Sequence, residues 1–133
     1  MRPTTLAQAA ERIAAGEQLS KALPEFLDTF YLAETPEQRT AMLVDEPVAI
    51  EDARLAGLFG AVAEYLSNRH KLPNVPPWAY SSHRYLDHAW HVSPFADDAM
   101  REYLTFASPA EFASRNIFTE ERPLRRARSP LAR

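Results

Sequence analysis

Eleven prolines set against three glycines constrain this chain more than any other feature. Proline fixes φ and removes a donor, so it is tolerated at the first turn of a helix or beyond its end. Tight hairpins need positive φ, which glycine supplies. The balance therefore disfavours a hairpin-rich β architecture and reads as helices with proline boundaries. At 133 residues the chain has the length of one ordinary domain.

The apolar spacing fills in the helices. Thr5 caps a first helix over 6–15, with Leu6, Ala9, Ala10 and Ile13 on one face and Gly16 as its stop. Pro24 reads as the first residue of a helix over 24–33 that carries Phe26, Leu27, Phe30 and Tyr31. One kinked helix from about residue 17 is the alternative. Thr35-Pro36-Glu37-Gln38 is a capping box. The helix it starts bears Met42 and Leu43 and ends before Pro47. Residues 48–69 give the clearest stripe, Leu55, Leu58, Phe59, Val62 and Leu66. Gly57 and Gly60 lie inside it; they weaken the helix and leave room for a neighbour to approach.

Pro73, Pro76 and Pro77 force an extended passage before Trp78, and an aromatic, histidine-rich stretch follows to Val92. Pro94 opens a helix with Met100, Tyr103, Leu104 and Phe106. Ser108-Pro109-Ala110-Glu111 forms a second capping box for a short last helix. Beyond Phe118 the chain is expected to fray into a basic tail. The expectation is an all-α, single-domain helical bundle over 1–121, with a proline- and aromatic-rich connection at about 72–93. A flexible tail occupies 122–133.

Composition excludes several functions. The chain has no cysteine, hence no disulfide framework, thiolate catalysis or cysteine-based zinc site, in keeping with a cytoplasmic setting. No apolar run approaches the roughly 20 residues of a membrane span. Met1 to Thr5 lead into an amphipathic segment, so no signal peptide is expected. The net charge of −3 argues against nucleic-acid binding over the whole surface. The stretch 122–133 departs from this, with Arg122, Arg125, Arg126, Arg128 and Arg133 and no acid. It could contact phosphates or an acidic partner.

Two constellations carry the candidate chemistry. Asp87, His88 and His91, with His83 nearby, offer donors of the kind that bind zinc, although a second ligand cluster and a general base are missing. Trp78, Tyr80, Arg84 and Trp90 join residue types that dominate interaction hot spots. The same aromatics could instead be pegs folding a long connection onto the helices. Phe112, Ile117 and Phe118 should dock the last helix if the chain turns at Asn116, leaving Arg115 exposed. Paired acids such as Asp97–Asp98 and Glu51–Asp52 are accounted for by the helix dipole.

The run SPAEFASRNIF, Ser108 to Phe118, follows MREYLTFA. It resembles a motif of the form SPxxFRRRNIF found in small bacterial proteins, frequent in actinobacteria. LPEFLDTFYLA, YLSNRHKLP and PPWA are similar to the same pattern, so the resemblance covers Leu19 to Arg126. It implies an antitoxin-like or regulatory protein encoded beside a nucleotidyltransferase-like toxin. Some members carry the segment behind a helix-turn-helix, for which this chain leaves no room. Ala113 and Ser114 stand where arginine is common, which weighs against DNA-based autoregulation.

The sequence thus points to a non-catalytic module, without cofactor, that binds another protein. Its expected contact residues are Trp78, Tyr80, Arg84, Trp90, Arg115, Arg122, Arg125, Arg126 and Arg128. A small metal-dependent protein centred on Asp87, His88 and His91 and a structural homo-oligomer are the alternatives.

Overall fold

The structure, a computed structural model, describes residues 2–93 and 97–126. It is mostly helical. Among the described residues six α-helices follow in order: α1 Leu6–Ala14, α2 Leu19–Leu32, α3 Pro36–Val44, α4 Ala53–Arg69, α5 Asp98–Ala107 and α6 Ala110–Ala113. Two short 3₁₀ turns, Pro77–Tyr80 and Ser82–Arg84, fill the proline- and aromatic-rich connection. The sequence pattern did not call for strands. Nevertheless β1, Trp90–His91, pairs in parallel with β2, Ile117–Phe118, in the register Trp90↔Ile117 and His91↔Phe118.

Local chemistry sets the ends of these elements. Thr5 accepts from the Gln8 amide at 3.0 Å, and Gly16 closes α1 at φ 111°. Thr35 and Gln38 complete the capping box of α3 from both sides. The central helix starts later than its stripe suggested, at Ala53, because the Asp52 carboxylate accepts from the Arg54 amide. Asp97 caps α5 in the same way, through the Met100 amide. The proposed start at Pro94 lies outside the described residues.

Two boundaries differ from expectation. Pro24 does not open α2 but sits inside it, as the kinked-helix alternative allowed. Starting at Leu19 lets Ala22 and Leu23 join Phe26, Leu27, Phe30 and Tyr31 on the buried face. That burial offsets the roughly 3 kcal/mol cost of an internal proline. The second capping box does not form. Ser108 instead donates to the Ile117 carbonyl and accepts from the Thr119 amide, both at 3.1 Å. The Pro109 carbonyl accepts from the Phe112 and Ala113 amides of α6.

One cluster of buried apolar side chains runs from Leu6 to Leu124. Helix α4 lies at its centre: Leu58, Phe59, Val62 and Leu66 are buried there with Ala56, Gly57, Gly60 and Ala61. Between Phe118 and Arg126 the chain forms no helix or strand but keeps contact with the body. Thr119 and Leu124 are buried. The Tyr31 hydroxyl donates to the Leu124 carbonyl at 2.8 Å, and burial pushes that phenol well above its ordinary pKa. Arg126 grips both oxygens of Asp28 at 2.9 and 3.3 Å. Arg128 and Arg133 lie outside the described residues. No helix among those residues is long and apolar enough to cross a membrane.

Candidate interaction surface

The small residues of α4 create its most unusual environment. Without a side chain at Gly60, the connection and the segment after α6 press directly against the helix, and two guanidinium groups enter the interior with them. Arg84 is 2% exposed and Arg115 fully buried. Arg115 donates through Nη1 to Glu64 Oε1 at 2.6 Å and to the Glu111 carbonyl at 2.7 Å. Its Nη2 donates to the Ala79 carbonyl at 2.7 Å, and the guanidinium lies over the Tyr85 ring at 4.7 Å. Glu64 accepts a further bond from the Tyr80 hydroxyl at 2.9 Å. Burial and this bond both hold the Tyr80 phenol above its ordinary pKa.

Arg84 packs against Gly60 as well. It donates to the Ala56 carbonyl at 3.1 Å and to Glu46 at 3.2 Å, and it lies over the Trp78 ring at 5.0 Å. Burial pulls its pKa down, opposed by the bond to Glu46 and its charge. The Nε of each arginine is buried without an acceptor among the described residues. Bonds to carbonyls and carboxylates at the other nitrogens offset that desolvation.

This arrangement corrects part of the expected contact surface. Trp78, Arg84 and Arg115 face inward. Trp78 is 8% exposed and donates its indole N–H to the Leu43 carbonyl at 3.1 Å. Arg115 was expected to be exposed, but the turn at Asn116 aims it at α4. Asn116 adopts φ 63°, its side chain donates to the Leu86 carbonyl at 2.8 Å, and its own carbonyl accepts from the Trp90 amide at 2.8 Å. The connection and the segment after α6 adjoin through β1 and β2, yet Arg84 and Arg115 point into the core.

The remaining expected residues that the structure describes are spread around the outside. Tyr80 is half exposed but tied to Glu64. Trp90 is half-buried under the Arg54 guanidinium at 5.4 Å. Arg126 holds Asp28. Arg122 and Arg125 are exposed. Asp87, His88 and His91 do not assemble a ligand set, and among the described residues no three His, Cys, Asp or Glu side chains could hold a metal ion. His91 instead meets the Thr105 hydroxyl at 3.2 Å and stacks on Phe118 at 5.1 Å.

Sequence reasoning missed Glu64 and the outer face of α5. A lone carboxylate inside the apolar stretch Ala61-Val62-Ala63-Glu64-Tyr65-Leu66 was a signal, since an acid there needs a cation. Helix α5 buries only Leu104, leaving Met100 43%, Tyr103 51% and Phe106 82% exposed. Val92, Met100, Tyr103 and Leu104 line a groove of about 550 Å³ together with Glu120, Arg122 and Arg125.

Comparisons with known protein families, curated proteins and solved structures found no match for this chain.

Proposed function

We propose that this chain is a non-catalytic module that binds another protein through the outer face of α5 and the segment after β2. The observation that carries this reading is the exposure of Met100, Tyr103 and Phe106 on a helix that buries a single residue. Large side chains left uncovered together on one short helix mark an interaction surface more often than isolated ones do. Aromatic side chains and arginine are also the residue types that dominate hot spots. The groove supplies them in Tyr103, Arg122 and Arg125.

The resemblance of Ser108–Phe118 to the SPxxFRRRNIF pattern supports an antitoxin-like or regulatory role in the cytoplasm. Its partner would be a nucleotidyltransferase-like protein encoded nearby. The buried state of Arg115 gives that motif a structural role: its arginine and asparagine hold the connection onto α4, and the partner meets neighbouring residues instead.

The test is co-purification of the neighbouring gene's product with wild type, Tyr103→Ser and Phe106→Ser. Both side chains are half exposed or more, so these changes should leave the fold intact. Loss of capture by either variant supports the reading. Undiminished capture by both removes α5 from the interface, and self-association of wild type in sizing experiments, abolished by Phe106→Ser, would make the partner a second copy.

A further inference from the structure

The groove beside α5 carries more information than its apolar wall. Arg122 is exposed and enters no ion pair among the described residues. Arg125 touches Glu120 at 3.5 Å, with side-chain exposures of 63% and 47%. A pair so open to water is weak and readily exchanged. Among the described residues the groove lining therefore presents one unpaired guanidinium and one loosely held guanidinium beside Val92, Met100, Tyr103 and Leu104. Arg84 and Arg115 differ, because their bonds are already committed inside the protein.

Resting on the protein-binding reading above, we propose that the groove receives an amphipathic segment of the partner that places acidic side chains on Arg122 and Arg125. Its apolar side chains would lie against Met100 and Tyr103. A purely apolar occupant would desolvate Arg122 without pairing it, which opposes binding. A carboxylate satisfies the planar guanidinium through two parallel bonds. Nucleic acid is the poorer fit. Glu120 lines the same groove, Glu121 is exposed next to it in the chain, and the net charge is −3. A phosphate backbone would meet those acids along its length, whereas a short segment can place its charges only where the arginines are. Methionine adapts to irregular apolar partners, so the wall does not demand one side-chain shape.

The experiment is affinity selection of a random dodecamer peptide library on the purified protein, repeated with the Arg122→Glu, Arg125→Glu double variant. The wild-type pool should be enriched in Asp or Glu alongside Leu, Phe or Trp. The leading peptide, labelled with fluorescein, should bind the double variant at least tenfold more weakly and lose affinity as salt rises. A pool without acidic enrichment, an empty pool, or equal binding to both proteins would overturn the proposal. If the reversed charges lower the thermal midpoint, Arg122→Gln with Arg125→Gln takes their place, with the same weakening expected. Capture of the neighbouring gene's product that fails with Phe106→Ser but ignores the charge changes would retain the protein-binding reading and overturn the acidic occupant.

Discussion

Arg115 Nε lies 3.1 Å from the position a β-carbon would take at Gly60. The same position is 3.0 Å from Arg84 Cβ and 3.1 Å from the Ala79 carbonyl oxygen. An alanine would gain about 1 kcal/mol of helix propensity but must displace backbone and two buried arginines. We expect Gly60→Ala to destabilise the protein by about 1–3 kcal/mol net. Gly57 is the control. A β-carbon there would meet the far end of Leu86 at 3.1 Å, then the Arg84 carbonyl at 3.3 Å and the far end of Ile117 at 3.4 Å. Urea denaturation of the two variants should rank Gly60→Ala as clearly the worse, and the opposite order would mean that the clasp around Gly60 is loose.

Arg115 and Glu64 form one unit. Removing either leaves a charge behind in a largely dry setting, at a cost of about 3–5 kcal/mol. Arg115→Ala and Glu64→Ala should each fall in that range. The double variant should lose less than the sum by about 1–3 kcal/mol. Additive losses in a double-mutant cycle would show that the two side chains are stabilised independently.

Asn116 holds a left-handed backbone and also bonds Leu86. Replacing it with alanine incurs a conformational cost of about 1–2 kcal/mol and loses the bond. Glycine loses only the bond. Thermal melts should therefore place Asn116→Gly above Asn116→Ala, and equal midpoints would locate the turn's stability elsewhere.

His70 predicts acid sensitivity. It ends α4, stacked on Tyr31 and edge-on to Phe30. Burial, aided by the nearby charge of Arg39, lowers its pKa from 6.5 to about 4. The folded state thus binds its proton less readily than the unfolded chain does. Its contribution is fully present above pH 6.5 and is lost as pH falls from there toward 4, amounting to at most about 3 kcal/mol. Comparing urea midpoints across that window, His70→Gln should lose less stability than wild type as the solution is acidified. Parallel pH curves would leave the carboxylates as the whole cause of acid unfolding.

The helices were legible because their signals are local. The Thr35 box, the Gly16 stop and the stripe of α4 each act within a few residues, so spacing alone reveals them. Pro24 was misread because a local rule was outweighed by burial of Ala22 and Leu23, which depends on distant neighbours. Ser108 was misread for a similar reason: its hydroxyl had an equally good partner pair in Ile117 and Thr119. The candidate surface was less legible. Nothing in the sequence distinguishes Arg115, aimed at Glu64, from Arg122, aimed at water. That difference arises from the left-handed turn at Asn116 and the missing side chain at Gly60, which meet only in three dimensions.

The span between bonded partners also sets a timetable for synthesis. Glu64 waits 51 residues for Arg115, and Tyr31 waits 93 for Leu124. At typical elongation rates of 5–20 residues per second, the gap between Glu64 and Arg115 lasts roughly 3–10 s. For that interval Glu64 can meet the Tyr80 hydroxyl, 16 residues on, but has no cation. The clasp around α4 can therefore close only after the segment bearing Arg115 has cleared the ribosome, well after α4 itself has emerged.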